Sequence, residues 1–258
     1  MKLSICHLYP DLMDTYGDKG NILALKYRSE KRGVDVAITQ LTIGQRLDEK
    51  IYDIFFFGGG QDRQQVIVSE DLKTKAGVLK SEIENGKVLL SVCGGYQLLL
   101  DYFKTIEGET LNGIGLFKGY TLGSSERMIG NILIELNADI FSAISVNSPT
   151  IQLSNYPTNY LVGFENHSGK TYTENPSLGS VVSGRGNNGE DKTEGTWYKN
   201  AFGCYLHGSL LPKNPHFADY LLSTALRNKY GDIKLKPLND SFEWKAHEDA
   251  VKIARKNS

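Results

Sequence analysis

Apolar and polar positions alternate in a repeating order over the first hundred residues. Residues 3–8 form a short apolar stretch that reads as a buried strand. Asp18 stands where a helix N-cap would. Residues 20–32 then place Ile22, Leu23, Leu25 and Tyr27 at helical spacing, with Gly33 as the stop. Residues 34–41 alternate with the period of a strand, and residues 53–57 are a continuous apolar strand ended by Gly58-Gly59-Gly60. A second helix is predicted over 69–84, closed by Asn85-Gly86, then a buried strand over 87–92 and a helix over 94–103. Strands that are apolar on both faces and alternate with helices predict a parallel sheet covered on both sides.

The second half changes character. Short strands are predicted at 115–121, 129–135, 161–164, 179–183, 196–198 and 201–206, and a helix at 215–230 on Phe217, Tyr220, Leu221 and Leu222. With no internal repeat and no long linker, one domain over 1–232 is expected. A C-terminal extension over 233–258, irregular around Pro237 and helical from about Phe242, would pack on that domain or on a partner. Residues 137–160 are rich in Ser, Asn and Pro and carry one charge, Asp139. They read as an excursion from the core, a surface loop or a partner-facing element.

Composition narrows the function. The chain has 258 residues, 40% apolar and 23% charged, an ordinary globular balance. Lys and Arg total 29 against 30 Asp and Glu, so no basic excess exists to drive nucleic-acid binding. The longest apolar runs have strand length, far below the roughly 20 residues of a membrane-spanning helix. No signal peptide is visible, and the three cysteines are too scattered for a disulfide framework or a zinc site. A cytoplasmic location is expected.

The chemistry concentrates at Leu90-Ser91-Val92-Cys93-Gly94-Gly95-Tyr96-Gln97. A buried strand ends at a cysteine, two glycines follow, and a helix begins. This is the layout of a nucleophile elbow, which exposes the side chain on a sharp turn, and the helix N-terminus there favours a thiolate. A buried structural cysteine is the plain alternative. The glycine triplet after the preceding strand opens into the same crevice, where its N–H groups and that of Gly94 would form an oxyanion hole. A cysteine nucleophile needs a base. His207, after an apolar strand and before Gly208, leads; His167 in Glu165-Asn166-His167-Ser168-Gly169 is second; His7 reads as core, and His216 and His247 as surface helix positions. Gly184, Gly186 and Gly189 satisfy G-x-G-x-x-G, but no apolar-periodic helix follows, so dinucleotide binding is rejected; no P-loop is present.

The triplet, the Cys93 elbow with Gln97, and Tyr205-Leu206-His207-Gly208 together resemble class I glutamine amidotransferases. Gly163-Phe164-Glu165-Asn166-His167 is similar to the branch that amidates cobyric acid and cobyrinate. The blocks Tyr16-Gly17-Asp18-Lys19-Gly20-Asn21, Phe56 to Arg63, and Tyr198-Lys199-Asn200 resemble the amidotransferase subunits of lipid II isoglutaminyl synthases. The likeness covers most of residues 1–230. It implies a three-layer, flavodoxin-like α/β fold with a mostly parallel central sheet. It implies that Cys93 attacks the amide of glutamine, that His207 shuttles the proton, and that the N–H groups of Gly60 and Gly94 hold the oxyanion. It further implies that Arg127 binds the glutamine carboxylate and that Gln97 lines the pocket; a solvated charge and a packing role are the plain readings of these two. Ammonia would pass to a Mur-ligase-like partner, MurT, which would use ATP and Mg to amidate the D-glutamate of lipid II; this chain itself would need no cofactor or metal. Another acceptor, such as a corrinoid, and an inactive scaffold role are the alternatives.

Two departures from the family pattern stand out. Where the pattern has His-x-Glu, this chain has Ser209 two residues after His207. The histidine would then lack its orienting acid unless Glu165 or a partner's acid supplied it, so weak glutaminase activity is expected of the isolated chain. The segment 137–160 exceeds the expected length for the family.

Overall fold

The computed structural model describes residues 1–147 and 159–256. The first half runs β1 (Lys2–Leu8), α1 (Lys19–Glu30), β2 (Asp35–Leu41), β3 (Ile54–Phe57), α2 (Asp62–Glu84), β4 (Val88–Val92) and α3 (Gly94–Leu99). Every residue of β3 and β4 is buried, as expected of strands covered on both faces. The second half adds β5 (Tyr102–Lys104), β6 (Thr110–Asn112), β7 (Gly119–Leu136), α4 (Ala138–Asn147), β8 (Tyr160–Thr173), β9 (Gly179–Ser183), β10 (Thr193–Glu194), β11 (Thr196–Tyr198), β12 (Ala201–Cys204), α5 (Pro215–Tyr230) and α6 (Ser241–Lys256).

One sheet has the order β11-β12-β4-β3-β1-β2, with every pair parallel except β11 against β12. The order reverses direction between β1 and β3. In such sheets ligands bind in the crevice at the carboxyl ends of the strands where the order reverses. Helices α1, α2 and α5 contribute Ile22, Leu25, Val68, Leu72, Leu79, Ile83, Phe217 and Leu221 to the main core around β1, β3 and β4.

A second sheet, of order β10-β9-β7-β5-β6 with β8 also on β7, was not foreseen from the sequence. It is built on β7 and β8, each far longer than its predicted piece. The predicted strands at 115–121 and 129–135 are parts of a single strand. The polar stretch between them is a bulge, where the pairing of β7 with β8 shifts between Gly123 and Met128. Polar residues at a bulge give no strand signal because they pair with nothing. Two helix ends also differ from expectation. Helix α2 starts at Asp62, about two turns before residue 69. Its first turn carries Asp62, Arg63 and Gln65, whose polarity serves a cavity rather than the core. Helix α3 stops at Leu99, because Leu100 is extended and Tyr102–Lys104 joins the second sheet as β5.

Within 137–160, Ala138–Asn147 is helix α4, with Ile140 and Ile144 buried in the main core. The excursion reading is therefore corrected for those residues; 148–158 lie outside the described ones. The C-terminal segment packs on this chain. Val251 and Ala254 of α6 join Leu133 and Val162 in a small second core. Trp244 stacks on His216 at 5.2 Å, and Ser183 Oγ donates to the Ala254 carbonyl at 2.7 Å. His216 and His247, expected on the surface, are fully buried under this helix. Arg28 on α1 donates through Nε to Asp219 at 2.7 Å and through Nη1 to Asp240 at 2.6 Å, tying the start of the segment to the core.

Candidate active site

Four chain segments leave the carboxyl ends of β1, β3, β4 and β12 and meet at one point. Cys93 follows β4 directly. Its backbone has φ 50° and ψ −112°, a conformation that costs a side-chain-bearing residue about 1–3 kcal/mol. The strain turns the chain sharply from β4 into α3 and leaves Cys93 with 8% of its surface exposed, enough for a small ligand to reach the sulfur. His207 follows β12, is fully buried, and is linked by a hydrogen bond to Cys93.

Asp18 arrives from the segment after β1. Its backbone does stand at the N-cap of α1, but its side chain caps nothing. Instead Oδ1 lies 3.1 Å from His207 Nδ1, and Oδ2 accepts the Gly59 N–H at 2.8 Å. Asp18 and His207 are both fully buried, so this contact is shielded from water. Burial by itself would push the imidazolium down; the charge of Cys93 and the hydrogen bonds to Asp18 and Cys93 outweigh it and lift His207 to about 10. The imidazole of His207 is therefore held protonated.

The glycine triplet is pinned by its neighbours. Gly95 N–H donates to Gly58 O at 3.1 Å, and Thr15 N–H donates to Gly59 O at 3.0 Å. A methyl group on Gly59 would sit 2.8 Å from His207 Cε1 and 3.2 Å from Cys93 Cβ, so only glycine lets the two side chains close up. A methyl group on Gly94 would sit 3.0 Å from the Gly60 nitrogen, which places the two backbone nitrogens side by side next to Cys93. Neither N–H has a partner among the described residues.

Gly59, Gly60, Cys93 and His207 line a cavity of about 390 Å³ whose wall also includes Gln65, Gln97, Arg127, Asn166 and His167. The bulge in β7 carries Arg127 to the cavity, where its Nε donates to Asn166 Oδ1 at 2.7 Å. Gln97 is buried in the wall, with Oε1 accepting from Gln65 and Nε2 donating to Tyr205. His167 also lines the cavity, but its ring stacks on Tyr205 at 3.6 Å and its Nδ1 meets Gly169 O at 2.9 Å. Burial pushes its pKa down to about 3, so it is neutral and held as part of the wall.

Glu165 does not reach His207. Its two carboxylate oxygens accept the N–H groups of Arg185 at 2.8 Å and Gly186 at 2.9 Å, so the orienting-acid assignment is corrected to Asp18. Ser209 turns its hydroxyl onto Gly17 O at 2.6 Å. The acid missing after His207 is thus supplied 189 positions earlier in the chain. Its signal was present in the Tyr16 to Asn21 block, where the N-cap reading concealed it. Gln65 and Tyr205 were missed too: Gln65 lay ahead of the predicted helix, and Tyr205 was given no role of its own in its motif.

Residues 4–215 match the model of the CobB/CobQ-like glutamine amidotransferase domain. The chain belongs to this family. Similar proteins include the lipid II isoglutaminyl synthase (glutamine-hydrolyzing) subunit GatD of Streptococcus pneumoniae, 41% identical over 99% of this chain and 93% of that protein. The same-named subunit of Staphylococcus aureus is 40% identical over 99% of this chain and 97% of the relative. A probable cobyric acid synthase of Methanococcus maripaludis is 30% identical over 73% of this chain, but only 36% of its own length is matched. Among solved structures, PurLQS from Thermotoga maritima shares the fold, with a TM-score of 0.54 at 17% identity over 88% of this chain and 97% of that one. The amidotransferase fold, with its mostly parallel sheet, is what the resemblance implied. As a family member the chain is a glutamine-hydrolysing amidotransferase, and no helix among its described residues is long and apolar enough to cross a membrane.

Proposed function

We propose that this chain hydrolyses L-glutamine and passes the ammonia to a Mur-ligase-like subunit. That subunit would use ATP and Mg to amidate the D-glutamate α-carboxyl of lipid II, giving D-isoglutamine. The observation that carries the glutaminase part is the meeting of Cys93, His207 and Asp18 with two unpartnered backbone N–H groups in a cavity that also holds Arg127. The lipid II part is supported by full-length likeness to two proteins named as subunits of that synthase. The expected location of this chain is the cytoplasm.

Cys93 sulfur attacks the side-chain amide carbon. The carbonyl oxygen takes up negative charge between the N–H groups of Gly60 and Gly94, where one such donor is worth about 3–4 kcal/mol in the transition state. The imidazolium of His207 gives its proton to the departing nitrogen, and ammonia leaves a γ-glutamyl thioester. His207 then takes a proton from water, whose oxygen attacks the thioester and releases glutamate. Asp18 keeps Nδ1 protonated, so Nε2 is the nitrogen that cycles the proton. Arg127, oriented by its Nε bond to Asn166, binds the glutamine α-carboxylate through its guanidinium. Gln97 presents its remaining amide proton to the same ligand. Because Asp18 lies within this chain, the expectation of a weak isolated enzyme loses its basis: turnover without a partner becomes the expected result.

The test is glutamate release from glutamine by this chain, alone and with the Mur-ligase-like protein, against Cys93→Ala. Release that requires Cys93, with amidated lipid II formed only when the partner, ATP and Mg are present, supports the proposal. Release without amidation under those conditions would reassign the acceptor, for instance to a corrinoid. No release in either setting would leave a scaffold role.

A further inference from the structure

The helix-α2 residue Gln65 has no part in the mechanism above, yet it is 2% exposed and lines the cavity. Its Nε2 donates to Gly60 O at 3.3 Å and to Gln97 Oε1 at 3.1 Å. Gln97 Nε2 donates in turn to Tyr205 OH at 3.0 Å, Tyr205 OH lies 2.6 Å from Thr171 Oγ1, and that oxygen lies 2.7 Å from Thr121 Oγ1. The oxygen and nitrogen of a glutamine amide must be assigned from what surrounds them. Here a backbone carbonyl decides. Gly60 O can only accept, so the Gln65 group facing it is the NH2. The same NH2 faces Gln97, which must therefore offer its oxygen there. Gln97 then turns its NH2 to Tyr205, whose hydroxyl is hydrogen-bonded in turn with Thr171.

One carbonyl thus fixes the sense of a buried chain of hydrogen bonds, and Gln65 is the link that transmits it. With this sense Gln97 presents its NH2, with one N–H beyond the bond to Tyr205, on the side away from Gln65; turned over, it would present its oxygen there. A second feature of Gln65 points at a ligand: its Oε1 is buried in the cavity wall and has no hydrogen-bond partner. A buried acceptor without a partner costs about 1–3 kcal/mol, a cost that a ligand's N–H would relieve.

We propose that Gln65 is a positioning residue that holds Gln97 with its N–H toward the bound glutamine, and so selects a ligand carrying a carboxylate. The proposal rests on the glutaminase reading and names a residue that acts on substrate binding through Gln97. Gln65→Glu is nearly isosteric but removes the NH2. A carboxylate at 65 would face Gly60 O and Gln97 Oε1 across two acceptor–acceptor contacts, and Gln97 would turn over to relieve one of them.

The experiment compares two alkylating agents for Cys93: the chloroketone analogue of glutamine, which carries the α-carboxylate, and iodoacetamide, which does not. In Gln65→Glu, KM for glutamine should rise about 10-fold or more, with kcat changed by less than about 3-fold, the size expected for a hydrogen bond to a charged group. Chloroketone labelling below saturation should slow by a similar factor while iodoacetamide labelling stays within about 2-fold, again on the scale of one such bond. Gln65→Met, which removes the amide and keeps the volume, provides the same comparison where the Glu variant fails to fold, with an expected loss of about 3-fold or more in chloroketone selectivity. Equal slowing of both reagents would mean a general distortion of the site and would overturn the proposal, as would no slowing of either. If the wild-type protein shows no preference for the chloroketone, the glutaminase reading fails first and the role of Gln65 falls with it.

Discussion

The Asp18 carboxylate lies 3.1 Å from His207 Nδ1, although 189 positions separate the two residues in the chain. Its other oxygen holds the Gly59 N–H at 2.8 Å. One buried carboxylate therefore contacts the imidazole proposed as the base and holds the glycine loop whose next N–H is the proposed oxyanion donor.

Asp18→Asn keeps the shape and removes the charge. The amide can offer its NH2 to Nδ1 and so stabilise the wrong tautomer, and kcat should fall by roughly 10²- to 10⁴-fold. The pH profile should move as well. His207 is raised to about 10, so the imidazolium that protonates the leaving nitrogen is lost as pH rises through that value. The stability it contributes is present below the unfolded value near 6.5 and fades over the same rise. Without Asp18 the alkaline limb of kcat should shift toward neutrality; a limb that stays in place would show that Asp18 does not act on this imidazole.

Gly59→Ala places a methyl carbon 2.8 Å from His207 Cε1. The imidazole must shift, and a displacement near 1 Å costs on the order of 10²-fold in rate. Gly77→Ala on exposed α2 meets nothing within 4 Å and should leave activity alone while adding about 0.5–1 kcal/mol of stability. Parallel kinetic and thermal measurements on the two variants separate the close approach from a general effect of removing glycine.

Glu194 is fully buried, and its Oε1 accepts the Tyr205 N–H at 2.6 Å. Burial raises its carboxyl to about 8 from an ordinary value of 4.5. The folded state therefore holds this proton more tightly than the unfolded chain. The resulting stability is complete below pH 4.5 and is lost as pH rises toward and past 8. Glu194→Gln cannot ionise, so its Tm should vary less than wild type between pH 5 and 8, a window set by those two values, and should exceed wild type at the upper end. Parallel Tm–pH curves for the two proteins would refute this.

Asp240→Ala removes one of the two carboxylates that surround the buried guanidinium of Arg28. Breaking a buried pair from one side should cost roughly 3 kcal/mol, visible in a denaturant melt. The same substitution should loosen α6, read as faster amide exchange at Trp244 and Val251, while glutamine turnover changes little. Unchanged stability would show that the C-terminal segment is held by its apolar face alone.

Much of this protein was determined locally and could be read directly. The continuous apolar runs of β3 and β4 specify a parallel sheet because both their faces must be covered, whatever the distant chain does. Cys93 between a buried strand and two glycines specifies a sharp elbow, because only a strained turn followed by small residues fits that order. The tertiary structure decided what depends on distance in space. Asp18 carried the local mark of an N-cap, and its real partner is set by the parallel register that lays β1, β3, β4 and β12 side by side. Glu165, next to Phe164, which bridges to His207, was one candidate for the orienting acid; strand alternation turned its carboxylate to Arg185 and Gly186 instead. The second sheet was hidden because its two long strands contain polar bulge and cavity residues, which leave no alternating pattern where they serve the site rather than the core.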